Sequence, residues 1–540
     1  MKVQTFLLAH VLLHSTRALS LPDDVHAALK PRTDSKKFSI EWSKCDLDFG
    51  DEALNERQKA FDCAEHVVPL DYRNSSTSQW IDLNLIRAKA TKKPFMGSVL
   101  YNPGGPGASG VEAVLRDAEE MLPYLGGHYD LIGFDPRGTG RTISFDCPSA
   151  EEILDTGGNL HRREFHTLPQ SDIWEYIKIN WKKLDEVAEA CWEDNRGTGR
   201  FLGTPFVARD MISIVDALGQ GDKLNYWGTS YGTILGQVVA SMFPKRVGRI
   251  LLDSNLNADD YAAGTWLTSG IDTERTLANL FNDCVISGKD LCSLADFHGK
   301  STTGESLMNT FKKLLKTKGG ASSEGTGLVL VMKKHLRTAL YNPSQYPVIV
   351  RNIEALFTGD KPDNSTGTGG GTDDTATWNP QLLTANLGIG CSDSSLRVED
   401  VDDFFSVYQA QYTESSFADV MVGQLAQCAN WKFSAAEQID LNKLRNVNTS
   451  SPMLVVNGRY DPATPLRSAW EVSTDFRGSR VVIHEGAGHS FLNHPSNCTQ
   501  EIVKRYFVDG VMPKLNTTCS PDMTAFEYAA SLRKGSDEKD

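Results

Sequence analysis

Nowhere in the 540 residues is there a run of about 20 apolar residues, so no membrane-spanning helix is expected and stable membrane insertion is excluded. Positive charge is also in short supply. Lys and Arg number 55 against 69 Asp and Glu, a net charge of -14, and no basic surface is expected for nucleic acid to bind. None of the ten cysteines falls in a C-x-x-C pair, which removes zinc-ribbon and thioredoxin-like chemistry. His161 and His166 match no metal-ligand spacing, and neither a metal site nor a cofactor is expected. What is present in quantity is core-forming material. With 40% hydrophobic residues the chain is too long for one minimal domain, so a catalytic domain with an inserted part is expected.

The N-terminus reads as a secretory signal over residues 1–20. Lys2 is followed by the apolar run Phe6 to Leu13, and Ala18-Leu19-Ser20 supplies small residues for cleavage. An even cysteine count suits the oxidising surroundings of an exported protein. Connectivity does not follow from spacing, and pairing of sequence neighbours is the simplest arrangement: Cys45 with Cys63, Cys147 with Cys191, Cys284 with Cys292, Cys391 with Cys428, Cys498 with Cys519. Five N-x-S/T sequons, at Asn74, Asn364, Asn448, Asn497 and Asn516, are glycosylation candidates in a secreted protein.

The stretch around which the rest is organised is Tyr226-Trp227-Gly228-Thr229-Ser230-Tyr231-Gly232. Leu224 to Trp227 reads as a buried strand. Tyr231 to Phe243 reads as a helix with Ile234, Val238 and Met242 on one face. A serine on such a strand-to-helix turn has a strained backbone and a hydroxyl pushed above the sheet. Taken alone the pentapeptide also fits an ordinary glycine turn; its meaning depends on an acid and a base following in order.

Strand and helix patterns alternate up to Asp253, which implies a mostly parallel sheet with helices on both faces. Residues 21–257 form the first part of this core, with Leu21 to Asp71 read as a polar lead-in. From 258 to 431 helical patterns dominate, broken by low-complexity stretches at Lys318 to Gly327 and Gly359 to Thr377. This insert reads as a cap over the sheet edge where ligands bind in open α/β folds. The core resumes over 432–532, and the charged tail 533–540 is expected to be disordered.

Two strand ends in the second part carry chemistry. Met453 to Asn457 leads to Asp461, and Arg480 to His484 leads to His489. Ser230, Asp461 and His489 thus occur in the order Ser, Asp, His, each past a strand end, which is the order of the α/β-hydrolase fold. The serine needs an imidazole to take its proton, and the imidazole needs a carboxylate to hold its tautomer. His484, His494 and Asp253 are the competing base and acid positions. Asn102-Pro103-Gly104-Gly105-Pro106-Gly107 follows a strand and bares backbone N–H groups. With a serine nucleophile present, the N–H of Gly105 (or Gly104) and of Tyr231 are the expected oxyanion donors.

The stretches Asn102 to Gly110, Asp135 to Gly140, Ala208 to Asp210, Asn225 to Gly236, Cys391 to Asp393, Asn457 to Pro465 and Gly486 to His489 resemble the secreted tripeptidyl aminopeptidases. These belong to the proline-iminopeptidase-like branch of the α/β hydrolases. The Cys498 to Cys519 ending is also similar, and makes 432–532 a TAP-like C-terminal region. The resemblance implies an exopeptidase that acylates Ser230 with a short N-terminal peptide or an amino acid. A cap carboxylate would then hold the substrate's ammonium, and Asp393 is the candidate, with a structural aspartate beside a disulfide as the alternative. The Gly-rich stretch at 359–377 departs from the family pattern. Expected partners are a peptide or a small ester; an esterase or lactonase with the same triad is the competing function. Oligomeric state is not readable from the sequence.

Overall fold

The computed structural model describes residues 30–31, 39–74, 79–150, 170–319, 332–359, 378–379 and 381–537. The signal at 1–20, His161, His166, Asn364 and nearly all of the Gly-rich stretch lie outside the described residues.

Among the described residues eleven strands make one sheet: β1 (Lys30–Pro31), β2 (Ser43–Lys44), β3 (Asp62–Pro69), β4 (Gln79–Ala88), β5 (Ser98–Asn102), β6 (Asp130–Phe134), β7 (Leu224–Thr229), β8 (Val247–Asp253), β9 (Leu454–Tyr460), β10 (Arg480–Ala487) and β11 (Thr517–Cys519). Their order is β11-β10-β9-β8-β7-β5-β6-β4-β3-β2, with β1 pairing β4. From β6 to β11 all neighbours run parallel, and β1 to β4 add an antiparallel flank.

Residue alternation on the central strands divides the core in two. Leu100, Ile132, Tyr226, Ile250, Leu252 and Val455 face one side, against helices Thr204–Leu218 and Tyr231–Met242. Val99, Leu131, Trp227, Leu251, Leu454 and Val456 face the other, against helices Gly110–Met121 and Asn497–Asp509. A strand buried on both faces reads as a nearly continuous apolar run, as β7 and β8 do. The architecture is the α/β-hydrolase fold that the alternating patterns imply.

Between β8 and β9 the chain is helical, with Thr273–Ser287, Gly304–Gly319, Tyr346–Thr358, Leu382–Asp393, Val401–Glu414 and Ala418–Ala429 among its segments. One apolar cluster of this insert takes in Leu277, Phe281, Leu340 and Tyr346, and reaches Ala487 at the end of β10. A second joins Phe404, Tyr408 and Leu425 to Ile177 of helix Gln170–Asp194. The Cys147 to Cys191 excursion therefore packs with the insert, a long-range contact that local spacing does not encode.

All five cysteine pairs expected as sequence neighbours are bridged. Two local readings are corrected. The polar lead-in contains β3, which pairs with β4 over eight residues; its mix of Asp62, Glu65 and His66 with apolar neighbours hides the strand. The tail is helical to Asp537 within helix Ala525–Asp537, anchored by buried Ala525, Phe526 and Ala529. Among the described residues no helix is long and apolar enough to cross a membrane.

Candidate active site

Parallel register brings the functional loops to one edge. Asn102 of β5 lies opposite Gly228 of β7, Thr229 opposite Asp253 of β8, and Tyr460 of β9 opposite Ala487 of β10. The residues that follow, 103–107, Ser230, Ser254, Asp461 and 488–490, all leave the sheet on the same side.

Ser230 caps helix Tyr231–Met242 with φ 58° and ψ -123°, a left-handed conformation costly for a residue with a Cβ. Such strain persists only where the surroundings over-determine it. Here a Cβ on Gly228 would stand 2.3 Å from the Gly232 carbonyl oxygen, so strand and helix meet too closely for any other residue. The glycine loop packs on the same turn: a Cβ on Gly104 would fall 2.7 Å from the Ser230 Cβ and 3.2 Å from the Tyr231 nitrogen. The Gly104 N–H is donated to Asn102 Oδ1 at 3.1 Å, which removes it as an oxyanion donor. The N–H groups of Gly105 and Tyr231 have no acceptor among the described residues; Tyr231 follows the serine, and Gly105 follows the Gly104 that packs on it.

This loop is braced from the insert, which sequence reasoning missed. Asn386 on helix Leu382–Asp393 donates to the Pro106 carbonyl at 3.1 Å, and Asn379 donates to the Gly107 carbonyl at 3.0 Å. Asparagines do not announce such long-range partners in a sequence.

His489 is 9% exposed, and its Nδ1 lies 3.0 Å from both carboxylate oxygens of Asp461. A carboxylate only accepts, so Nδ1 carries the proton and Nε2 is left free as a base. Asp461 is wholly buried. It also accepts from the N–H groups of Ala463 and Thr464, each at 2.9 Å, and from the Thr464 hydroxyl at 2.7 Å. Burial alone would raise its pKa, but the charge of His489 and these donors prevail and hold it below the usual carboxylate value. Burial likewise opposes charge on His489, yet Asp461 outweighs it and the imidazole is raised above its ordinary value. The ring of Tyr341, from the insert, stands 4.8 Å from the imidazole, and the His489 N–H is donated to the Tyr341 carbonyl at 2.8 Å.

No hydrogen bond joins Ser230 Oγ to His489 among the described residues. The two loops are tied through Asp253 instead. Its carbonyl accepts from the Ser230 N–H at 3.0 Å, and its carboxylate accepts from the Ser490 hydroxyl at 2.5 Å. Asp253, the competing acid, does not touch the imidazole. The competing bases are occupied elsewhere: His484 lies within β10 between Thr499 and the His494 carbonyl, and His494 accepts from the Ala487 N–H.

Asp393, the candidate for the substrate's ammonium, lies in the interior. Its side chain is 1% exposed, and its oxygens accept from the Thr204 N–H, the Thr204 hydroxyl and the Tyr261 hydroxyl, at 3.0, 2.6 and 3.0 Å. Burial pushes its pKa up to about 6. A buried carboxylate fed by neutral donors pins helix Thr204–Leu218 to the insert, as the alternative of a structural aspartate implies.

A strained serine, a carboxylate-held imidazole and two free N–H groups at one covered edge define a serine hydrolase, and the chain is one of the α/β-hydrolase fold. The alpha/beta hydrolase fold family model matches residues 97–308, spanning the glycine loop and Ser230, and that of TAP-like protein matches 413–519, spanning Asp461 and His489. The chain is 26% identical to the tripeptidyl aminopeptidase of Streptomyces lividans over 509 residues, 90% of this chain and 88% of that one. It is 27% identical to the serine protease Hip1 of Mycobacterium tuberculosis over 492 residues, 85% and 87% of the two chains. A carboxylesterase B of Mycobacterium tuberculosis is 27% identical over 496 residues, 85% and 86%.

Proposed function

We propose that this protein is a secreted serine aminopeptidase that releases short peptides or single residues from the N-terminus of a peptide through an acyl-enzyme on Ser230. The observation that carries the reading is the Asp461–His489 pair, whose loop is tied through Asp253 to the turn of the strained Ser230. His489 Nε2 takes the proton as Ser230 Oγ attacks the carbonyl, and Asp461 stabilises the imidazolium. Gly105 and Tyr231 N–H groups receive the oxyanion. The proton then passes to the departing amine, and water repeats the sequence to free the acyl group.

Preference for a chain end is supported by the insert, whose Tyr341 meets the His489 ring and whose Asn386 holds the loop after β5. An insert that contacts both catalytic loops suits the end of a peptide better than the middle of a folded chain. Extension to tripeptide release rests on the likeness to tripeptidyl aminopeptidase. Secretion rests on the residue 1–20 pattern and five disulfides; Asn74, Asn448, Asn497 and Asn516 are exposed where glycans would sit. The second reading, an esterase, rests on the carboxylesterase relative.

The test compares free-amine tripeptidyl chromogenic amides, their N-blocked forms and p-nitrophenyl esters, with Ser230→Ala as control. Hydrolysis restricted to the free-amine amides is expected. Turnover of esters alone transfers the reading to the second function.

A further inference from the structure

Three residues of the active-site edge other than glycine have left-handed backbone: Ser230 at φ 58°, Ser254 at φ 59° and Ser490 at φ 83°. They come from loops after β7, β8 and β10, far apart along the chain, and all three converge on one side chain and its own backbone. Asp253 accepts the Ser230 N–H on its carbonyl (3.0 Å) and the Ser490 hydroxyl on Oδ2 (2.5 Å). Its Oδ1 receives the Phe491 N–H at 3.4 Å and stands 3.4 Å from the Ser254 hydroxyl. Ser254 Oγ in turn accepts the Ser490 N–H at 2.8 Å, and the Ser254 N–H is donated to the Val456 carbonyl at 3.1 Å.

Strain of this kind survives where neighbouring contacts over-determine it. Ser490 is the sharpest case. At φ 83° and ψ 139° it occupies a region essentially reserved for glycine, directly after His489. Its hydroxyl is what a glycine would lack, and that hydroxyl goes to Asp253.

We propose that Asp253 is a positioning residue: with Ser254 and Ser490 it forms a clasp that holds the His489 loop against the Ser230 turn. The inference rests on the Ser230 hydrolase reading. Asp253 is wholly buried, so it acts on the reaction only through its neighbours. Its charge acts on His489 from a distance, opposed there by that of Arg337 from the insert. The other titratable groups around it are Asp461 past β9, Tyr101 on β5 and Tyr124 on the turn Leu122–Leu125. An ionised Asp253 favours the imidazolium, so its loss lowers the His489 pKa.

The experiment uses the full chain, with the rate of Ser230 labelling by a fluorophosphonate as a readout independent of substrate, alongside kcat, KM and the pH profile of kcat/KM. Asp253→Asn is expected to lower kcat and the labelling rate about tenfold, to leave KM within about twofold, and to move the acidic limb of kcat/KM to lower pH. Ser490→Gly is expected to fold at least as stably, since glycine accepts that backbone, yet to lose about fivefold in labelling rate. It also keeps the test open if Asp253→Asn does not fold. Full labelling rate in Asp253→Asn, or in Ser490→Gly, overturns the clasp. Full labelling and turnover in Ser230→Ala instead overturns the hydrolase reading itself.

Discussion

Asp461 and Asp253 leave the ends of neighbouring parallel strands, both are wholly buried, and both lie close to His489, yet their protons are held oppositely. Against its burial, Asp461 is held below its ordinary pKa by His489 in direct contact and three further hydrogen bonds. Burial raises Asp253 to about 7, and the Ser490 hydroxyl, the more distant His489 and the Phe491 N–H only partly offset it. Burial is common to the two, so it does not choose which acid serves the imidazole. The choice lies in which carboxylate the imidazole Nδ1 reaches, and a loop past β9 reaches it where the end of β8 does not.

The sharpest way to break this comparison is to neutralise each acid in turn. Asp461→Asn is expected to cut kcat by about ten-thousand-fold, because an amide facing Nδ1 favours the wrong tautomer. Asp253→Asn, one strand away, is expected to cost only about tenfold. Stopped-flow or steady-state turnover on a common substrate reads both. Equal losses would make the two carboxylates interchangeable and dissolve the distinction drawn from geometry.

A smaller effect is expected one bond further out. The Thr464 hydroxyl donates to Asp461 at 2.7 Å and stands 3.4 Å from His489 Nδ1. Thr464→Val keeps the shape and removes that donor. A hydrogen bond to a charged group is worth about 1.5–3 kcal/mol, which caps the loss in kcat at about ten- to hundredfold with KM little changed. A change confined to KM would place Thr464 in substrate binding. Asn386→Ala should do less, about threefold to tenfold in kcat, since Asn379 still braces the oxyanion loop through the Gly107 carbonyl.

What could be read in advance divides along the same line. Ser230, Asp461 and His489 announce themselves because each follows an apolar strand run, and parallel strands put their ends together. The glycine loop after β5 is legible for the same reason, and so are the cysteine pairs, which join neighbours. The partners are not legible. Nothing local marks Thr464, Asn386 or Ser490 as bonded to residues of the site, and Asp393 drew attention by its place beside Cys391 although its partners, Thr204 and Tyr261, seal it in. The strand β3 escaped because Asp62, Glu65 and His66 interrupt its apolar face, and each is accommodated by tertiary contacts: Asp62 with Arg87 at 2.7 Å, His66 with Ser213 at 2.8 Å.

The smallest expected effect concerns stability, and it has opposite signs for the two acids. A carboxyl raised in the folded state binds its proton more tightly there than in the unfolded chain. Its contribution to stability is therefore full below the ordinary value of 3.8 and is lost as pH rises through the folded value, about 7 for Asp253. Asp461 is lowered, so its contribution is present above 3.8 and is lost as pH falls through the lower folded value. Asp253→Asn removes a group that becomes harder to keep buried as it ionises. Relative to the parent, this variant should gain thermal stability between pH 4 and pH 7, whereas Asp461→Asn should show no such gain over that range. Melting temperatures of the three proteins at several pH values between those limits read the difference. Parallel curves for parent and Asp253→Asn would mean that the Asp253 carboxyl ionises in the folded protein as readily as in the unfolded one, and the contrast between the two aspartates would then reduce to their hydrogen bonds alone.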